Sequence, residues 1–115
     1  MQRFIIEMGT GNDQYGQDYT KAAARAIEDA IRHSSIPMFD TLGVDHAKMI
    51  VQVTVGVQKP DLVDCKSLAE NLPRGSATVK AVLGGLDVTN PDSGNTVVVA
   101  SAAVEAFLDP KDVAL

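Results

Sequence analysis

Residues 7–31 read EMGTGNDQYGQDYTKAAARAIEDAI, and the rest of the chain is organised around them. The segment that leads in, RFIIEM at 3–8, is bulky and β-branched and reads as a short buried strand. GTGNDQYG at 9–16 follows with glycines at 9, 11 and 16 and few hydrophobes, so it reads as an exposed, shaped loop. Asp18 is a natural N-cap, because its carboxylate can accept from the free N–H groups of the next turn. Beyond it Ala22, Ala23, Ala26, Ile27, Ala30 and Ile31 fall on one stripe, with Lys21, Arg25, Glu28, Asp29 and Arg32 opposite. That is a surface helix laid closely on a sheet.

A strand entering a helix through such a loop aims backbone N–H groups and short polar side chains at one place. Thr10, Asn12, Asp13 and Gln17 are therefore candidate ligand contacts. A capped turn that satisfies its own polar groups accounts for the same residues, and both readings stand at this point. The third glycine of a dinucleotide fingerprint falls at the wrong spacing.

Working outward, 34–43 (SSIPMFDTLG) breaks the helix and reads as a connector. Strand two is a clean alternation, with Met49, Val51, Val53, Val55 and Val57 on a core face and mostly polar residues between them. A brief helix is expected over about 64–72, before Pro73. Strand three spans roughly 76–88, with Gly84 and Gly85 read as a bulge. The turn NPDSGN at 90–95 joins it as a hairpin to strand four, 96 to about 103. The tail FLDPKDVAL reads as a short helical end or a loose terminus. The expected fold is a single α/β (α+β) domain over 1–115, β-α-β-α-β-β, a mixed four-stranded sheet with helices on one face. The other sheet face then lacks a cover, and burial by neighbouring subunits is the economical expectation.

Composition narrows the function classes. The chain is 45% hydrophobic but only 4% aromatic, and it carries 10 basic against 15 acidic residues, a net charge of −5. Without a basic patch nucleic acid is not an expected partner. The lone Cys65 forms no intrachain disulfide, and no long apolar run suggests a leader or a membrane span, so a cytoplasmic location is expected. Asp13, Asp18, His33, Asp45 and His46 are the candidate metal ligands, but none falls at a recognised spacing, so neither a metal nor another cofactor is expected.

The N-terminal half resembles a small family of uncharacterised bacterial and plant proteins named after a Listeria open reading frame. Its signature, Gly-x-Gly-x-Asp-x-His-Gly, is matched by Gly9, Gly11, Asp13 and Gly16, with Tyr15 in place of the histidine. More distantly the chain resembles one repeat of the ring-opening amidohydrolases, the cyanuric acid hydrolase and barbiturase family, whose single chains hold three such repeats about a pseudo-threefold axis. Gly11–Asn12 and Asp18-Tyr19-Thr20-Lys21 are similar to that family's Gly-Asn and Asp-Phe-Thr-Arg elements, and Ser101-Ala102-Ala103-Val104-Glu105 to its Ser-Gly-Gly-Thr-Glu. That resemblance implies Ser101 as a nucleophile. The family's activating lysine would stand just before Gly11, where this chain has Met8, Gly9 and Thr10; Lys80 or Lys21 is the substitute base available.

The element order is also similar to the chorismate-mutase-like trimers, which place small-molecule sites between subunits. The expected protein is thus a homotrimer binding a small molecule in a pocket of Thr10, Asn12, Lys21, Lys80, Ser101 and Glu105. Three readings stay open: a hydrolase of small cyclic amides, a non-catalytic binding module, and a structural trimer.

Overall fold

The computed structural model describes residues 1–33, 48–72 and 76–112. The connector expected at 34–43, the Asp45–His46 pair, the turn at 73–75 and the end of the tail lie outside the described residues. Among the described residues five strands and two α-helices follow one another as β1 (Gln2–Asp13), α1 (Tyr19–Arg32), β2 (Ile50–Val57), α2 (Cys65–Glu70), β3 (Ser76–Leu83), β4 (Leu86–Thr89) and β5 (Thr96–Leu108), with 3-10 turns at Pro60–Leu62 and Pro110–Asp112. The fold is mixed α+β on a five-stranded sheet ordered β1-β5-β2-β3, with β4 paired to β5. β5 runs antiparallel to both β1 and β2, so β1 and β2 are parallel to each other although β5 lies between them. β2 and β3 are parallel neighbours.

Strand one extends well past Met8. Gly9 and Gly11 lie within β1, opposite Ala102 and Ala100, instead of in a loop. They are glycines because α1 lies directly on them: a Cβ at Gly9 would overlap the backbone of Ala26 and Ala30, and one at Gly11 the backbone of Ala22, Arg25 and Ala26. The alanine stripe of α1 meets this bare stretch of strand, and Ala22, Ala23, Ala26 and Ala30 are wholly buried there. Close approach, with no side chain on the strand's glycines and only methyls on the helix to hold the backbones apart, is what brings the helix down.

The expected strand three is two strands that serve different neighbours. Ser76–Leu83 pairs with β2, whereas Leu86–Thr89 pairs with β5, so the expected bulge is a crossing point. There Gly84 and Gly85 pass over Gly56 of β2, and Gly85 takes a φ of +60°. A Cβ at Gly85 would run into the Val99 carbonyl, so no other residue fits. The Gln58 side chain donates to the carbonyls of Gly84 and Gly85, at 3.1 and 3.2 Å, and holds the crossing shut. The expected hairpin across 90–95 is present between β4 and β5. Strand four continues to Leu108 instead of ending near Ala103.

The core lies on the face that carries the helices. It is built from Met49, Val51, Val53, Val55 and Val57 ahead of and along β2, alternate residues of β5 from Val98 to Leu108, the α1 stripe and Leu68 of α2. The expected N-cap is present, the Asp18 carboxylate accepting from the Lys21 N–H, and Asp64 caps α2 in the same way by accepting from the Ser67 N–H. Thr20 fastens the following segment, its hydroxyl accepting from the Asp64 N–H at 2.9 Å. Among the described residues no helix is long and apolar enough to cross a membrane.

Candidate functional site

The expected site residues fall on two sides of the sheet. On the helix side, where β1 passes into α1, a polar pocket of about 550 Å³ is lined by Asn12, Asp13, Gln14, Tyr15, Gly16, Asp18, Lys21 and Arg25. Asp13 is 5% exposed and organises the turn. One of its oxygens accepts from the Gly16 and Asp18 N–H groups, at 3.2 and 2.9 Å, and the other faces the Arg25 guanidinium at 3.7 Å. Of the N–H groups around this helix start, those of Gly16 and Asp18 are therefore taken by Asp13 and that of Lys21 by Asp18. Tyr15, at the family's histidine position, is 86% exposed.

Arg25 and Asp29 also guard the free edge of β1. Arg25 donates to the Asn12 carbonyl at 2.6 Å, and Asp29 accepts from the Thr10 N–H at 3.0 Å. Near the start of β1 the pairing with β5 slips between Arg3 and Ile5, a bulge at Phe4. Side chains over one half of the edge and a bulge in the other discourage another strand from adding there.

A partly buried polar cluster that the sequence does not announce adjoins this turn. The Tyr19 hydroxyl donates to Asp87 of β4 at 2.5 Å and accepts from the Gln17 amide at 3.3 Å, while Gln17 holds a φ of +48°. Burial, and next the hydrogen bond to Asp87, push the Tyr19 phenol above its usual range. The second Asp87 oxygen is buried without a hydrogen-bond partner. Asn95 adds a further tie by donating to the Gln14 carbonyl at 2.7 Å, so the β4–β5 hairpin is pinned to the β1–α1 turn at two points. No motif links residues 19 and 87; only the strand exchange at Gly84–Gly85 brings them together.

The open sheet face carries the remaining candidates. Ser101 is exposed there, opposite Thr10 on β1 and Gly56 on β2. Glu105 pairs with Arg3 at 3.2 Å. Lys80 stands on β3 opposite Thr54, in a shallow pocket of about 250 Å³ with Gln52, Thr54 and Thr78. Lys80 is not the hairpin neighbour of Ser101 that the sequence suggests, because β2 lies between β3 and β5 and Ser101 pairs one step along, with Gly56. Among the described residues the Ser101 hydroxyl has no side-chain hydrogen-bond partner and Lys80 no carboxylate within ion-pair distance. Around these polar groups the face exposes Ile6, Met8, Ile50, Val82, Leu86 and Val88. Within one protomer, then, Asn12, Asp13 and Lys21 share one pocket, and Thr10, Ser101, Lys80 and Glu105 share the opposite surface. Gln17, itself exposed, belongs to the cluster around the buried Tyr19. No group of three or more His, Cys, Asp or Glu side chains placed to hold a metal occurs among the described residues.

Such a sheet, half covered by helices and carrying a glycine–alanine contact where other folds place a phosphate loop, defines a small α+β domain of a class without an assigned chemistry. The model of the conserved hypothetical protein family Lin0512_fam matches residues 3–106, and the chain belongs to that family. Among solved structures it is similar to an FtsZ-like protein of unknown function from Nostoc punctiforme, at 35% identity and a TM-score of 0.80, covering 94% of this chain and 96% of that one. No curated protein matches the chain.

Proposed function

We propose that the protein is a homotrimer that binds a small molecule on the sheet face its helices leave bare. The observation that carries this reading is the composition of that face: Ile6, Met8, Val82, Leu86 and Val88 surround a polar centre of Thr10, Thr54, Lys80 and Ser101. Exposed large apolar side chains grouped on one sheet face in this way mark a contact. The edge of β1 is guarded by Arg25, Asp29 and the bulge, so association through the face is favoured over strand addition at that edge. The strand order supports a chorismate-mutase-like arrangement, with β5 antiparallel between β1 and β2 and β3 parallel beyond. The solved relative is itself described only as FtsZ-like and of unknown function, so it lends the fold and no ligand.

Binding without catalysis is the reading the geometry favours. A serine nucleophile needs a base within hydrogen-bond reach, and the lysine nearest in the sheet on this face, Lys80, is a strand away and out of step with Ser101. Hydrolysis of a small cyclic amide survives as a second reading because Ser101 is exposed at the centre of the face, where a neighbouring subunit's lysine can approach it. Sedimentation equilibrium at micromolar concentration tests the assembly, and a monomer mass removes it. Small cyclic amides screened by thermal shift, followed by assays of Ser101→Ala, separate the chemistry. Turnover lost with binding kept makes Ser101 a nucleophile; binding without turnover in the wild type leaves a binding protein.

A further inference from the structure

Resting on the reading of the bare sheet face as a contact between subunits, we infer that its small-molecule site takes an oxyanion, a small carboxylate or phosphate held by Lys80. The argument is one of charge. Of the side chains that the five strands turn to this face, the charged ones are Arg3, Lys80 and Glu105. Arg3 and Glu105 cancel each other at 3.2 Å. Lys80 has no carboxylate within ion-pair distance among the described residues, so each copy brings one uncompensated cation to the interface. Taking an unpaired ammonium out of water is costly, and partnering it with an anion removes most of that cost. A second or third copy of the same face offers no spare carboxylate, only the same excess positive charge. The compensating anion must therefore arrive with a ligand.

The surroundings of Lys80 suit one. Thr54 and Thr78 supply hydroxyl donors and Gln52 an amide, all lining the same pocket. At about 250 Å³ it lies at the small end of ligand sites, which are ~300–1,000 Å³, so it fits a compact anion better than a nucleotide or a cofactor. Alternation along β3 keeps Thr78, Lys80 and Val82 on the open face while Ala77, Val79 and Ala81 pack against the core, which fixes where the ammonium stands.

The test follows subunit association by sedimentation with malonate, inorganic phosphate, or malonamide as the neutral analogue of malonate, all at one ionic strength set with sodium chloride. Malonate or phosphate, whichever the site takes, strengthens association about tenfold per site when present at nine times its dissociation constant, because only the assembled form binds it. Malonamide has no effect. Lys80→Met, checked for folding by circular dichroism, associates more tightly than wild type without anion and no longer responds to either anion; Thr54→Val, which keeps the charge, retains a weakened response. If the wild type forms trimers that ignore both anions, or respond equally to malonamide, the inference is overturned while the assembly stands, and Lys80 is only a guard on an edge strand. A monomer under every condition overturns the assembly and the inference with it.

Discussion

Replacing Gly11 by alanine adds one methyl group at the place where α1 lies on β1, and the structure states what that methyl meets. It would overlap the Ala26 N atom and lie 2.6 Å from the Ala22 carbonyl oxygen and 2.7 Å from the Arg25 carbonyl carbon. All three are backbone atoms of a continuous helix, so no side chain can turn away. The helix must lift by about 1 Å to restore ordinary contact, and a gap of that size forfeits roughly a quarter to a half of the dispersion attraction across it. Beneath α1 the four alanines Ala22, Ala23, Ala26 and Ala30 and the side chain of Ile27 are buried. At about 0.8 kcal/mol per buried methyl and about 2–3 for the isoleucine, roughly 6 kcal/mol depends on that contact. The expected loss is therefore about 1.5–3 kcal/mol, within the range for overpacked cores. Urea unfolding measures it, as a lower midpoint at unchanged slope. Gly94→Ala is the control, since Gly94 has a φ of +74° but nothing within 4 Å of an added Cβ, so only the conformational term of about 1–2 kcal/mol applies. A Gly11→Ala protein within 0.5 kcal/mol of wild type (roughly the scatter expected of an inert surface change) refutes the close-packing account.

Asp13→Ala leaves the Gly16 and Asp18 N–H groups without their acceptor and is expected to cost about 2–3 kcal/mol in urea unfolding, whereas Arg25→Ala, removing a partner half exposed to water, costs about 1 kcal/mol or less. Tyr19→Phe leaves both oxygens of Asp87 without a hydrogen-bond partner and should lose about 2 kcal/mol, most of which returns in Tyr19→Phe/Asp87→Leu, where that unpartnered carboxylate is gone. Because burial and Asp87 raise the Tyr19 pKa, the folded state holds that proton more tightly than the unfolded chain. The corresponding stability is complete below about pH 10 and falls as pH rises from there through the folded value, so urea midpoints from pH 8 to 11 decline less steeply in Tyr19→Phe than in wild type. Val99→Asp sets a carboxylate on the open face beside Asn12 and Leu86 and, given the proposed trimer, is expected to shift sedimentation to monomer without unfolding the domain; a wild-type trimer left unchanged by it places β5 outside the interface.

Elements governed by local periodicity were readable before the structure. The valine alternation of β2, the alanine stripe of α1 and the cap Asp18 all express a period or a side-chain hydrogen bond within a few residues. What failed was the meaning of glycine. In the sequence Gly9, Gly11, Gly84 and Gly85 each read as a mark of a loop or a bulge, since a glycine ordinarily signals backbone freedom. Here Gly9, Gly11 and Gly84 mark close approach of another stretch of backbone, and Gly85 does so as well as adopting a positive φ. Sequence alone does not separate these causes, because the atoms that make glycine obligatory belong to residues up to 29 positions away, as with Gly56 and Gly85.

That single ambiguity explains why the candidate site came out divided. With Gly84–Gly85 read as a bulge, the chain from 76 to 88 is one strand beside β5 and Lys80 becomes a neighbour of Ser101. With a crossing, β3 lies beyond β2, Lys80 moves a strand away, and Asp87 comes instead beside Val98, in the same row as Asp13 and within reach of Tyr19. The crossing thus takes a base from the serine and gives the β1–α1 turn its buried carboxylate partner. It also leaves the open face with hydroxyls, an amide and one unpaired ammonium, a set that can hold an anion but has, within one protomer, nothing to activate Ser101. A catalytic version of this domain would need its base on β1 or from another subunit. Installing lysine at Met8 tests this directly, since Met8 is exposed on the open face opposite Ala103, two residues from Ser101. If Met8→Lys gains turnover of a cyclic amide that the wild type only binds, the face has a competent serine lacking a base; no gain, with the fold and trimer intact, leaves Ser101 a structural hydroxyl.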